Sequence, residues 1–421
     1  MMKKCTFLLF ILSFSVKVTF AQSDSLQLDL KQAEILFLQN NFDLLNSNYQ
    51  IDQARAEIIT AKLFDNPELA YENLFYNHET RKFLQTSFEY GQYASSISQL
   101  VKLAGKRNKN IKLAQTGVKL AELAYFDLMR TLKFELRSTF YQAYFASQSA
   151  KVYDDQIQST ENLLKAYDLQ LKAGNVALKD VIRIKSLIIG LKSAQINLLN
   201  DLEDYLRDLR LLCGLSPNAN LSLKLTETPQ IKLNEIVYTS LIDSAKANRA
   251  DLKLAQTTLE YNALNLKLQK AMAIPDVEIS LAYDLKGNYP EKYTGLGIKI
   301  PIPLFNRNQG EIKKAKVGID AANAGIQKQN LLLSNEVFNS YQTAVRNEKL
   351  YAEIDPLFNS DFNKLISGLI KNFRERNISL IEFLDLYESY KDNILQINNL
   401  QLERLRSREE INYVTGSNIF K

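Results

Sequence analysis

Catalysis and metal binding need side chains that this chain hardly has. Of its 421 residues one is histidine, His78, and two are cysteine, Cys5 and Cys213. No set of nucleophile, base and orienting group can be assembled from that inventory, and zinc ribbons, His-rich sites and disulfide frameworks are excluded with it. Gly105-Lys106 has the end of a phosphate loop without its earlier glycine, and Gly295-Leu296-Gly297 lacks the third glycine of a dinucleotide turn. His78 has no companion ligand near it. What remains is carboxylate chemistry. Glu382 and Asp385 are three residues apart and so share one face of a helix, which reads on its own as an ordinary solvated pair. No cofactor, no resident metal and no enzymatic activity are expected.

The elements that carry these residues come in two copies. Asn66-Pro67-Glu68-Leu69 corresponds to Ile274-Pro275-Asp276-Val277 at an offset of 208, and Leu103-Ala104-Gly105-Lys106-Arg107 to Leu304-Phe305-Asn306-Arg307-Asn308 at 201. Ala173 to Val181 matches Glu375 to Phe383, and Leu212-Cys213-Gly214 matches Val414-Thr415-Gly416, both at 202. Four markers in one order at nearly one offset indicate a tandem duplication of roughly 190 residues per copy. The expected layout is a first repeat over 22–215, a connector over 216–236, a second repeat over 237–416 and a short tail, 417–421. Asp180 occupies in the first copy the position of Glu382 in the second.

Each copy changes its hydrophobic period in the same order. Val277, Ile279, Leu281 and Tyr283 alternate with Glu278, Ser280, Ala282 and Asp284, and Leu296, Ile298, Ile300 and Ile302 form the partner strand. Strands are therefore predicted near 276–285 and 294–303, and in the first copy near 67–76 and 83–100. Everything else reads as helix. The stretch from Gly105 to about Lys172 holds no proline, a rod of roughly 100 Å. On the return, Ile184, Ile188, Leu191, Gln195, Leu198, Leu202, Tyr205, Leu209 and Leu212 recur with 4-3 spacing, a coiled-coil seam, echoed by Phe383, Tyr387, Tyr390, Ile394 and Ile397. The turns between these helices fall near residues 174 and 376.

Lys3 and Lys4 precede an apolar run from Phe7 to Phe14, and Thr19-Phe20-Ala21-Gln22 closes it, so residues 1–21 are expected to be a secretory signal. No cysteine stands at the cleavage point, so lipid anchoring is not expected. Lys plus Arg is 52 and Asp plus Glu 47, a net +5 that disfavours a nucleic-acid partner. Four one-sided strands cannot close a barrel, so an exported chain carrying them has to supply them to an oligomer, with Tyr and Phe as interfacial aromatics in the absence of Trp.

With these motifs the chain resembles the TolC-family outer membrane factors along its mature length. Asn66-Pro67 before the first strand, Gln99 to Arg107 after the second, and Pro301 to Ile312 in the second half carry the likeness, and the last two are similar to the cobalt-zinc-cadmium resistance branch. The resemblance implies a mainly α fold with a membrane β-barrel contribution: a homotrimer with a twelve-stranded barrel in outer membrane lipid and a periplasmic tunnel of antiparallel coiled-coil helices. It implies the passive exit duct of a tripartite pump in a Gram-negative cell envelope, served by a periplasmic adaptor (a membrane fusion protein) and an inner membrane transporter of the proton-driven resistance-nodulation-division type. The turn residues Gly174, Val176, Leu178, Arg376, Ile378 and Leu380 would meet the adaptor. Glu382, Asp385 and Asp180 would form acidic rings at the narrow periplasmic mouth, with Glu in place of the family's first Asp. Heavy-metal cations are the expected cargo, with drug efflux or type I protein secretion as the alternative. The alternative outside the membrane is a structural periplasmic coiled coil.

Overall fold

The computed structural model describes residues 26–225, 233–287, 290–354, 368–373, 375 and 377–420. The expected signal segment and Arg376 lie outside the described residues. In chain order the elements are β1 (Leu26–Leu28), α1 (Leu30–Asn40), α2 (Phe42–Lys62), β2 (Glu68–Asn73), β3 (Tyr76–Asn77), β4 (Lys82–Phe83), β5 (Tyr93–Val101), α3 (Lys106–Lys172), α4 (Leu178–Leu212) and β6 (Leu221–Leu223). A 3-10 turn (Leu233–Glu235) leads to α5 (Tyr238–Asn248), α6 (Ala250–Met272), β7 (Val277–Asp284), β8 (Tyr293–Lys299), α7 (Gln309–Ala352) and α8 (Leu380–Thr415).

The two halves break and end their helices at matching positions, with different capping chemistry. A capping box between Asp29 and Gln32 starts α1. Asn41 then breaks the chain between α1 and α2: its Oδ1 accepts from the Leu44 N–H at 3.0 Å, and its Nδ2 donates to the Leu212 carbonyl at 3.0 Å. Arg249 stands at the equivalent break between α5 and α6 and reaches the Val414 carbonyl at 3.4 Å. The return helices end alike, with Gly214 at φ 62° and Gly416 at φ 64°. A Cβ on Gly214 would lie 2.6 Å from the Asn40 carbonyl oxygen, so a side chain is excluded there by space as well as by backbone angle.

Four strands form one antiparallel sheet in the order β2-β5-β7-β8. Cross-strand pairs set Leu69, Ile97, Leu281 and Leu296 in one row and Ile279 beside Ile298, so the apolar residues share a face. That face is bare: Leu69 is 78% and Leu296 72% exposed. β2 and β8 are the edges, with no partner strand on their outer sides among the described residues.

Three expectations are corrected. Beyond the two-residue β4, the segment 84–92 is a loop and not strand, although Leu84, Thr86, Phe88 and Tyr90 alternate. β2 ends at Asn73 and pairs with residues 93–98 only, so nothing is left for 84–90 to pair with. Instead Leu84 takes a φ of 50°, and Gly91 packs its Cα against the Gln85 carbonyl. β8 stops at Lys299 rather than near 303, where Pro301 and Pro303 supply no N–H for a ladder. Not everything outside the main sheet is helix, because β1 pairs in parallel with β6 and ties the start of the first repeat to the segment after it. The long helices α3 and α7 both open from a left-handed residue, Gly105 at φ 63° and Asn308 at φ 58°. This sets Gly105 opposite Asn308, two residues beyond the Asn306 of the sequence alignment.

α3 runs for 67 residues, about 100 Å, and contacts α2, α4, α6 and α8. Midway along it Leu132, Leu136, Phe140 and Phe145 pack on Phe37, Leu209 and Cys213, while α7 and α8 close a second core around Leu333, Val337, Ile411 and Phe420. Burial in the first core pushes the Cys213 thiol up to about 11, so it stays protonated at neutral pH. Between the cores lies a set of buried ions. Arg137 donates to Glu34 and, at 2.6 Å, to Glu409, which also accepts from Asn412 at 2.9 Å. Burial alone would lower the Arg137 pKa, but the two carboxylates outweigh it and hold the guanidinium charged. Arg249 pairs with Asp251 and Glu336, and Arg404 and Arg408 with Glu348. Removing Arg137 strands the buried Glu409 charge, at a cost of about 3–5 kcal/mol, whereas removing Glu409 leaves Arg137 its pair with Glu34 and costs less. Glu409→Ala is expected to lower the thermal unfolding midpoint of the detergent-solubilised protein by several degrees, with Glu409→Gln falling between. A midpoint unchanged in Glu409→Ala would remove Arg137–Glu409 from the structural supports.

Candidate functional site

At the end of α3 the chain turns within five residues. The amides of Ala173, Gly174 and Asn175 donate to the carbonyls of Leu169, Leu171 and Gln170 at 2.9–3.1 Å, and Gly174 sits at φ 75°. The second turn repeats the pattern: the Asn377 amide donates to the Asn372 carbonyl at 2.9 Å, as Asn175 does to Gln170. Ser379 caps α8, its hydroxyl accepting from the Glu382 N–H at 3.2 Å.

The turn residues do not act as one group. Val176, Ile378 and Leu380 line a shared cavity of about 660 Å³, floored by Phe373, Phe383 and Tyr387. The floor is an aromatic stack in which Phe373 and Phe383 lie 4.4 Å apart, Phe383 and Tyr387 5.5 Å, and Tyr387 and Tyr390 6.4 Å. Gly174 and Leu178 are exposed and lie outside that lining. Glu382 and Asp385 are exposed on the side of α8 away from buried Phe383 and Tyr387, and Asp180 is half-buried on the first turn of α4. Negative charge in the first turn of a helix also compensates the helix dipole, which suits Asp180 and Glu382 where they stand.

A second acidic surface lies on the sheet. Opposite the bare apolar face, the same strands carry Glu68, Glu72, Glu278 and Asp284 among small residues, Ala70, Ser96, Ser98, Ser280 and Gly297. Lys299 reaches Glu278 at 3.3 Å, and Gln92 donates to Asp284 at 2.5 Å. The alternation in the sequence marks this face as polar. Its acidic sum emerges only when the register brings β2 and β7 onto one wall. His78 stands edge-on to Tyr76 at 4.9 Å, and among the described residues no three His, Cys, Asp or Glu side chains are grouped to hold a metal ion. No described helix is long and apolar enough to cross a membrane.

Residues 36–215 match the family described as outer membrane efflux protein. A relative in Cupriavidus metallidurans, the cobalt-zinc-cadmium resistance protein CzcC, is 22% identical over 295 residues, which are 68% of this chain and 66% of the relative, just under two thirds of its length. A membrane protein of known structure from Pseudomonas aeruginosa superposes with a TM-score of 0.74 at 16% identity, covering 92% of this chain and 90% of that one. The CmeC outer membrane channel of Campylobacter jejuni does so at 0.74 with 14% identity, covering 92% and 85%. The family match covers the first repeat of this chain. The fold of the chain is the TolC-like one: paired amphipathic strands at one end of long, duplicated helical hairpins. In this fold the apolar face of the sheet is exposed, and β2 and β8 have no partner strand on their outer sides among the described residues.

A Cβ at Gly174 would meet no atom within 4 Å, so the cost of a side chain there comes from the backbone angle, about 1–2 kcal/mol. Gly174→Val is expected to raise hydrogen exchange at the amides of Ala173 and Asn175 by about tenfold while the sheet amides stay protected. Unchanged exchange at the turn would show that it tolerates a side chain at this angle.

Proposed function

We propose that three copies of this chain form a twelve-stranded barrel in the outer membrane and a helical tunnel below it, the exit duct of a tripartite efflux pump. One observation carries the reading: a four-stranded sheet with an apolar bare face and two open edges. Such edges are tolerated in lipid only when closed by further strands. The turn residues Gly174, Val176, Leu178, Arg376, Ile378 and Leu380 are then the docking end for a periplasmic adaptor, and the inner membrane pump does the work of transport. Heavy-metal cations are the proposed cargo. The CzcC relative supports it, and so does the acidic wall of Glu68, Glu72, Glu278 and Asp284, which favours cations without chelating them. Glu382 and Asp385, with Asp180, are proposed to ring the periplasmic mouth.

The detergent-solubilised protein is expected to have the mass of three chains and to conduct in planar bilayers. Deleting its gene should sensitise cells to zinc, cobalt or cadmium more than to detergents and dyes. A stable monomer in detergent-free buffer would overturn the barrel, and sensitivity to dyes alone would reassign the cargo.

In the same bilayers, Glu382→Gln with Asp385→Asn is expected to reduce cation preference and to weaken block by multivalent cations added from the periplasmic side. Selectivity and block equal to wild type would place both residues outside the pore.

A further inference from the structure

The sheet and the long helices meet at a border whose charge stands apart from the rest of the chain. Segments 62–66, 102–112, 267–278 and 299–316 hold thirteen Lys and Arg against four Asp and Glu, whereas the whole chain is only +5. At the opposite end of the sheet, segments 74–92 and 285–292 hold four against three. The excess is therefore local to the helix side.

Bare apolar groups are set into this border. Phe64 is 74% exposed, with the Arg107 guanidinium 4.1 Å over its ring, and Arg107 donates to the Lys62 carbonyl at 2.9 Å. Gln99, in the same outward row of β5 as Ile97, donates to the Asp65 carbonyl at 2.9 Å and joins this corner to the apolar face above it. In the second half Phe305 is 90% exposed beside exposed Arg307, with exposed Lys313 and Lys316 on the first turns of α7. Aromatic rings flanked by flexible cations at the rim of an apolar band match the boundary between acyl chains and phosphates.

Resting on the channel reading, we infer that this border is a collar for anionic glycerophospholipid headgroups in the leaflet nearest the helices, with Phe64 and Phe305 as wedges and Lys62, Arg107, Arg307 and Lys313 facing the phosphates. Each basic side chain near an anionic surface adds about fivefold in affinity, and the effect falls with salt.

The test titrates the full-length, detergent-solubilised channel with dioleoylphosphatidylglycerol and, separately, with dioleoylphosphatidylcholine, counting bound lipid by native mass spectrometry. Phosphatidylglycerol should bind at least about tenfold tighter at physiological salt, where screening reduces the fivefold contributions. The variant K62Q/R307Q/K313Q should lose that preference, K62R/R307K/K313R should keep it, and F64S/F305S should bind both lipids more weakly. Equal affinity for the two lipids in the wild type, or an unaltered preference in the glutamine variant, would overturn the collar. So would a glutamine variant that keeps its lipid preference but no longer binds purified peptidoglycan sacculi. Planar-bilayer conductance separates the two levels: a wild type that conducts without lipid preference sinks the collar alone, and one that neither inserts nor conducts sinks the channel reading with it.

Discussion

The open edges of one four-stranded sheet constrain everything else in this chain. β2 and β8 each present a row of backbone N–H and C=O groups, and beside a bare apolar face such rows cannot be left to lipid, where each orphan group costs several kcal/mol. The strand count bears on how the proposed barrel satisfies them. In an antiparallel sheet of four, the first and last strands run in opposite directions, so in the proposed barrel β8 of one copy meets β2 of the next antiparallel and the alternation continues around a ring. Three or five strands per chain would force a parallel seam at every junction. Duplication of a two-stranded unit supplies an even number without further design.

The same duplication explains why the helical part is so regular. Each strand pair feeds a long helix through a left-handed residue, Gly105 or Asn308, and each long helix start is tied back to the end of the preceding helix: Arg107 to the Lys62 carbonyl, Asn308 to the Gln269 carbonyl. Helices longer than any single core can hold need their registry fixed along the way. Asn41 and Arg249 do this at the kinks of the two halves, and Arg137, Arg249 and Arg404 do it through ion pairs across helix contacts. Apolar seams alone would let such helices slide by a heptad at modest cost, whereas a displaced Arg137 would leave Glu409 buried and unpaired.

How far all this could be read in advance depends on the range of the interaction concerned. The seam from Ile184 to Leu212 and the alternation from Val277 to Tyr283 are local patterns, and every seam position is buried or half-buried in the fold. The alternation from Leu84 to Tyr90 is equally regular and misleads, because a strand also needs a partner at the same height and β2 has already ended. The β1–β6 pair joins residues nearly 200 positions apart and has three residues on each side, too few to show a period. Arg137, Glu34 and Glu409 likewise come from three separate helices, and nothing in the spacing of any one of them announces the others. At the turns, Glu382 and Asp385 are legible as a pair through their spacing. The cavity shared by Val176, Ile378 and Leu380 is not, since it forms between two hairpins whose packing is set elsewhere.

The acidic wall of the sheet bears on how a conduit can favour a cargo without holding it. A site that coordinates a transition metal uses imidazole or thiolate in a closed set, and its affinity sets a slow off-rate. Here the carboxylates are spread along strands: Glu68 and Glu72 are four residues apart on β2, and Glu278 and Asp284 stand at opposite ends of β7, with Ser, Ala and Gly between them. At these separations no two can share a bare ion in the way ligands do, but their fields overlap along the wall and raise the local concentration of any cation. In the proposed channel, small neighbours would leave hydrated ions room beside this wall. Conduction requires attraction that is weak and distributed over several positions. In the proposed channel the sheet meets that requirement by the same alternation that gives it an apolar face, with lipid on one side and charged cargo on the other.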